Sequence, residues 1–255
     1  MLKIIVNGFE FAYERYGCGT PLVLVHGYPL DHTVWNQVMP LLEDDFDLIL
    51  PDLRGFGQSG TTRPPYLLAD MAADVAALLD LLKIEKAIIA GHSMGGYIAL
   101  AFGRAYPGRL LGLGLVASQS LGDAPEKKAG RMQEAEYVLA HGVGDIAAGM
   151  SLKLTVDPVL QTRLKELMLQ QRPEGVAGAL QAMAERPDST VILSTFTFPV
   201  AIIHGLADKL IPIERAREAR AALKEGSLVE IEGVGHMPMM EAPQVTAEAL
   251  KTLLL

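Results

Sequence analysis

A serine set between glycines, directly after a short aliphatic run and directly before a helical pattern, constrains this chain more than any other feature. The run Ala87–Ala90 leads into Gly91-His92-Ser93-Met94-Gly95-Gly96, and Met94–Tyr106 continues with apolar residues at helical spacing. A strand-to-helix turn this tight accepts only small neighbours, which Gly91 and Gly95 supply. Ser93 then projects from the turn with its hydroxyl at the amino end of a helix, where the partial positive charge favours developing negative charge. An inert glycine turn would show similar letters, but not a strand and a helix in that order.

The rest of the chain alternates in the same way. Lys3–Val6 and Glu10–Tyr16 read as edge-like strands joined through the hairpin signal Asn7-Gly8. Leu22–Val25, Phe46–Leu50, Ala87–Ala90, Leu111–Val116 and Val200–Ile203 are short aliphatic runs, the pattern of strands buried on both faces. Leu228–Ile231 alternates more and is expected nearer an edge. Tyr66–Leu82, Met94–Tyr106, Ile213–Leu223 and Pro243–Leu254 carry helical periodicity. Strand followed by helix, repeated, predicts an α/β fold with a mainly parallel sheet of about eight strands and helices on both faces. Such sheets bind ligands at the carboxyl ends of their strands.

From about Gly122 to Ser194 no strand is apparent. Helix-like segments there are punctuated by Pro125, Gly130, Gly142, Gly149, Pro158, Pro173 and Pro187, which are expected to mark helix breaks. Residues 122–194 are thus expected to be a helical cap inserted into a core formed by residues 1–121 and 195–255.

Of the 255 residues half are hydrophobic, enough for a large core, and the net charge of −8 argues against a nucleic-acid groove. Cys18, the one cysteine, has no intrachain partner, so a disulfide framework is excluded. The first residues lack the pattern of a signal peptide, and no apolar run approaches bilayer length. A cytoplasmic protein is expected, a monomer or homodimer, without nucleic-acid or membrane partners.

A serine nucleophile generates an oxyanion that needs two preorganised donors. One is the Met94 N–H, next to Ser93. The other is expected from His26-Gly27-Tyr28-Pro29, directly after the run Leu22–Val25, as the Tyr28 N–H. Six histidines could supply the base: His26, His32, His92, His141, His204 and His236. His26 and His92 lie where backbone duties compete, His204 precedes a glycine as a loop-former, His32 sits in a loop and His141 in the cap. His236, in a glycine-rich loop after Leu228–Ile231, can be carried back over the sheet to Ser93. Its carboxylate partner is expected to be Asp208, following Val200–Ile203, with Asp123 as fallback. The competing reading of Asp208 is a loop carboxylate capping the helix around Pro212.

Together His26-Gly-Tyr-Pro29, Asp52-Leu-Arg-Gly-Phe-Gly-Gln-Ser59, Gly91-His-Ser-Met-Gly95, His204-Gly-Leu-Ala-Asp208 and Gly235-His236 resemble the α/β-hydrolase superfamily. The likeness runs from about Gly17 to the C-terminus and is strongest to small capped members: carboxylesterases, 3-oxoadipate enol-lactonases, perhydrolases and meta-cleavage-product hydrolases. It implies Ser93, Asp208 and His236 as catalytic residues, Tyr28 and Met94 as the oxyanion hole, no metal and no cofactor. Asp52 and Arg54 are expected to tie loops together. Relatives that cleave haloalkanes or epoxides place an aspartate at the elbow; a serine there points to acyl transfer. The expected reaction is hydrolysis of esters of short to medium acyl chain. Lactone hydrolysis, C–C cleavage and perhydrolysis stand as alternatives, and a ligand-binding protein of the same fold as the non-enzyme reading. The cap methionines Met132, Met150, Met168 and Met183, with Met237, Met239 and Met240, suggest a permissive apolar pocket. Arg131, Lys153, Arg163 and Lys165 are the cap cations that could face it.

Overall fold

The computed structural model describes residues 1–62 and 64–254. β1 (Leu2–Val6) and β2 (Phe9–Tyr16) form an antiparallel hairpin in which Val6 faces Phe9. Asn7 and Gly8 both take positive φ, 47° and 87°, as a two-residue turn matching the strand twist requires. Six further strands follow: β3 (Thr20–Val25), β4 (Phe46–Pro51), β5 (Ala87–His92), β6 (Leu110–Val116), β7 (Val200–Gly205) and β8 (Ser227–Ile231). They form one sheet in the order β1-β2-β4-β3-β5-β6-β7-β8. β2 meets β4 antiparallel, and every pair from β4 through β3 to β8 is parallel.

Every residue of β4, β5 and β7 is buried, which accounts for their uninterrupted aliphatic sequences. β8 is an edge strand and only partly buried, in keeping with its alternation. Neighbouring residues on a strand serve opposite faces. Val23, Ile89, Leu113 and Ile202 join one core, and Leu24, Ile88, Ala90 and Ile203 join the other.

The helices are α1 (Met39–Leu42), α2 (Leu68–Leu81), α3 (Met94–Ala105), α4 (Pro125–His141), α5 (Gly144–Leu154), α6 (Pro158–Leu169), α7 (Pro173–Ala184), α8 (Thr190–Leu193), α9 (Ile213–Ala222), α10 (Pro238–Glu241) and α11 (Pro243–Lys251). α2 and α3 contribute Val75, Leu79, Ile98 and Phe102 to the first core; α11 contributes Leu250 to the second. α4 to α8 form a helical insertion between β6 and β7, with α4 packed on α7 and α5 on α6.

The expected break points divide into two kinds. Pro125, Pro158 and Pro173 each open a helix, where the missing N–H leaves no bond unmade, and Gly142 ends α4 at φ 83°. Gly130 and Gly149 break nothing: they lie inside α4 and α5. A helix interior tolerates a glycine when the rest of its turn packs. Among the described residues no helix is long and apolar enough to cross a membrane.

The register brings the carboxyl ends of four strands side by side. Val25 pairs with Gly91, His92 with Val116, and Val116 with Ile203. The segments beginning at His26, Ser93, Ala117 and Leu206 therefore leave the sheet at neighbouring points.

Candidate active site

Ser93 links β5 to α3 with φ 50° and ψ −111°. A non-glycine residue in this region stores about 1–3 kcal/mol and persists only when its surroundings hold it. Here its N–H donates to the Val116 carbonyl at 2.9 Å, and its own carbonyl accepts from the Gly96 N–H at 2.9 Å and the Ser118 hydroxyl at 2.8 Å. The turn is so close that a Cβ on Gly91 would overlap the Gly95 carbonyl, and one on Gly95 would overlap the Val25 carbonyl. Only glycine fits at either position.

Met94 is the first residue of α3, so its N–H has no acceptor within the helix. Tyr28 lies in the loop after β3, in a turn closed by Leu30 N–H donating to the Gly27 carbonyl at 3.0 Å. Its own N–H has no protein acceptor among the described residues. His26 shapes this loop: its Nδ1–H donates to the Gly27 carbonyl at 2.9 Å, and its Nε2 accepts from the Leu53 N–H at 3.0 Å. Burial lowers its pKa, in agreement with that neutral pattern.

His236 and Asp208 meet as a buried pair, with Nδ1–H donating to Oδ2 at 2.7 Å. The other Asp208 oxygen accepts the N–H groups of Leu210 at 2.8 Å and Ile211 at 3.0 Å. The same carboxylate thus meets the imidazole and closes the turn at Leu210 and Ile211, while the helix that begins at Ile213 takes no side-chain cap from it. Burial alone would raise its pKa, but His236 and those N–H groups outweigh burial and hold it below the usual carboxylate range. His204 Nε2–H donates to the Ile211 carbonyl at 2.8 Å, which fixes the loop bearing Asp208.

The backbone of His236 is gripped as firmly as its ring. Its N–H donates to the Leu154 carbonyl at the end of α5 at 2.8 Å, and its carbonyl accepts from His92 Nε2–H at 2.8 Å. Glu241 accepts from the N–H groups on both sides, Gly235 at 3.2 Å and Met237 at 3.0 Å. Glu241 also accepts from the Thr155 hydroxyl at 2.9 Å, joining this loop to the insertion. Burial and the nearby His236 push His92 down to about 3, so it is a neutral donor. Sequence reading missed Glu241 and Thr155, which stand in no spacing relation to the motifs.

Ser93 and His236 line one cavity of about 810 Å³, together with the side chains of Tyr28, Tyr97, Leu210 and Ile211. The insertion closes the other side. Met150 and Met183 face this cavity, but so do Lys127, Arg131, Glu134, Asp145 and Lys153. The pocket is thus mainly apolar, as expected, with charged groups from the insertion set into its lining. Met168, Met237 and Met239 are buried in the second core, and Met132 is partly exposed. Arg163 borders a separate depression, and Lys165 does not reach the cavity. The fallback acid Asp123 is engaged elsewhere, by Arg131 at 2.5 Å and Arg186 at 2.8 Å.

The loop Asp52–Ser59 is tied as expected. Asp52 accepts from the His32 N–H at 3.0 Å, His32 Nδ1–H at 2.6 Å and the Gln58 N–H at 2.8 Å; Arg54 makes two 2.6 Å bonds to Asp74. Asp31, His32 and Asp52 lie close enough to be weighed as metal ligands. Their proximity is already accounted for: Asp31 receives the Thr33 N–H and hydroxyl, and Asp52 receives His32. His141 is exposed in the insertion, its Nδ1–H donating to the Tyr137 carbonyl at 3.1 Å.

The family described as alpha/beta hydrolase fold matches residues 20–243. A thermophilic esterase from Thermogutta terrifontis, solved with malate bound, is 37% identical with a TM-score of 0.95, covering 99% of this chain and 97% of its own. The enol-lactonase from Burkholderia xenovorans LB400 superposes with a TM-score of 0.90 over 99% of both chains at 23% identity, a likeness of fold. The dihydrolipoyllysine-residue acetyltransferase component of the acetoin cleaving system of Pseudomonas putida is 33% identical over 94% of this chain, which spans 64% of that protein's length.

Proposed function

The chain belongs to the α/β-hydrolase fold family, and from that membership we propose that it is a serine hydrolase cleaving carboxylic esters through an acyl-enzyme. The observation that carries this reading is the Asp208–His236 pair, joined at 2.7 Å, with His236 and Ser93 lining one cavity. Because Asp208 holds the Nδ1 proton, Nε2 is left as the basic nitrogen.

In the first step His236 takes the Ser93 hydroxyl proton as the oxygen attacks the ester carbonyl. The oxyanion is received by the N–H groups of Tyr28 and Met94, neither of which is spent on backbone pairing. His236 then gives its proton to the departing alcohol oxygen, and the acyl group stays on Ser93. Water entering the cavity loses a proton to His236, attacks the acyl carbonyl, and returns serine and the free acid. Asp208 stays ionised throughout and stabilises the imidazolium. Residues 122–194 act as the cap that selects the acid, over a core of residues 1–121 and 195–255.

Ser93→Ala is expected to lower kcat for p-nitrophenyl butyrate by about 10⁴-fold or more. A fluorophosphonate probe should label wild type and fail on the variant. Activity of the variant within tenfold of wild type would remove Ser93 as nucleophile. A folded wild type that neither labels nor turns over esters would support a ligand-binding protein.

A further inference from the structure

The insertion presents an unbalanced cluster of charge to the cavity. Asp123, with a side chain only 1% exposed, is shared by three cations: Arg131 at 2.5 Å, Arg186 at 2.8 Å and Lys127 at 3.7 Å. Arg131 spends its Nε on Asp123, and its two Nη groups have no protein acceptor among the described residues. Arg131 and Lys127 both line the cavity, and Lys153 stands on the facing helix without an ion-pair partner among the described residues. Asp145 on the same rim accepts from the Tyr137 hydroxyl. Tyr28, 5% exposed, also lines the cavity, and its buried hydroxyl has no hydrogen-bond partner among the described residues.

We propose that this wall of the cavity holds a carboxylate, with Arg131 as its principal partner, so that the preferred substrates are esters carrying a carboxylate remote from the scissile carbonyl. The inference rests on the serine-hydrolase reading above and adds the substrate class. Lys127, Arg131 and Lys153 line the cavity against Glu134 and Asp145, which leaves its wall short of negative charge. Lys127 registers this: burial, then Arg131 and Arg186, hold its ammonium below the usual lysine range despite Asp123. An incoming carboxylate supplies what is lacking. The guanidinium, already oriented by Asp123, can meet it with two parallel N–H groups and little further loss of freedom. The Tyr28 hydroxyl stays protonated because of burial and the charge of Glu134, so it is a donor awaiting an acceptor. The apolar lining, with Met150, Met183, Leu210 and Ile211, suits the methylenes between the carboxylate and the ester. Glu134 and Asp145 are the wall carboxylates that oppose the anion.

Two matched pairs test this by pH-stat: monoethyl adipate against ethyl hexanoate, and acetoxyhexanoate against hexyl acetate. In each pair the chains match and only one member has a terminal carboxylate. At least one pair should show a preference for the anion of about tenfold or more in kcat/KM, carried by KM. Arg131→Gln should erase that ratio, Arg131→Lys should keep part of it, and Lys153→Gln should reduce it without lowering the melting temperature. Glu134→Gln should move it the other way, lowering KM for the anionic ester. Calorimetry on Ser93→Ala with adipate, which needs no turnover, should show binding that Arg131→Gln removes. Hydrolysis of the neutral esters with no anionic preference in either pair, and no adipate binding, would overturn the carboxylate site and leave the nucleophile intact. Adipate binding to a protein that hydrolyses no ester would instead overturn the serine-hydrolase reading.

Discussion

His236 is held by two sets of bonds, one for its ring and one for its backbone, and the second set gives Glu241 a consequence of its own. Its carboxylate fixes the N–H groups of Gly235 and Met237 and reaches the Thr155 hydroxyl. A displacement of about 1 Å in a reacting group can lower a rate by about 10²-fold. Glu241→Gln keeps the volume but weakens three charge-assisted bonds, and is expected to lower kcat about tenfold with KM little changed. Thr155→Val should act in the same direction and less. A lowered melting temperature with kcat intact would make Glu241 a purely structural residue. Ser93, Asp208 and His236 were legible because each follows an aliphatic run, and the sheet register brings those ends together. Glu241 was not legible. It belongs to α10, a four-residue helix too short to show periodicity. The His92 bond to the His236 carbonyl joins residues 144 apart and exists only through the tertiary fold.

The elements show the same division. Strands buried on both faces announce themselves, because each position from Phe46 to Leu50 or from Val200 to Ile203 must be apolar. The insertion helices α4 and α6, each buried on a narrow face, carry weaker patterns, and glycines at Gly130 and Gly149 read as interruptions. Both line the cavity, and a Cβ at either would meet nothing within 4 Å. Packing therefore does not require them, although each is less favourable than alanine by about 0.8–1 kcal/mol in a helix interior. What they keep is open space between α4 and α5. Gly130→Ala and Gly149→Ala should each stabilise the fold by roughly 0.5–1 kcal/mol in urea unfolding. Gly149→Leu should stabilise the helix as well but narrow the opening, so that kcat/KM falls more for p-nitrophenyl hexanoate than for the acetate. Equal losses for the two esters would show that this opening does not screen acyl length.

At the scale of the whole molecule, the loops at the carboxyl ends of the strands are fastened by histidines that must stay neutral. His26 follows β3, His92 ends β5 and His204 lies in β7; each has its pKa lowered chiefly by burial. A buried base whose folded pKa is depressed takes up its proton only on unfolding. The unfolded chain then binds more protons than the native one, and stability rises with pH through that window. For His92 the window opens near the unfolded value of 6.5 and closes at about 3. The carboxylates Asp52 and Asp208, held below their usual range, also lose stabilisation as pH falls, but only below their unfolded value near 3.8. His32 works in the opposite sense: burial lowers its pKa, yet Asp52 outweighs burial and raises it, so its contribution is present below 6.5 and fades as pH rises through the folded value. Three depressed histidines against one raised one make the protein lose stability on acidification before its carboxylates titrate. Urea unfolding should therefore give a lower free energy at pH 5 than at pH 7. His92→Asn, which retains an N–H donor but cannot titrate, should reduce the mean slope between those values by about 0.7 proton, about 1 kcal/mol per pH unit. A variant with the wild-type slope would mean that His92 is not the group taking up the proton, and that the acid sensitivity resides in His26 and His204.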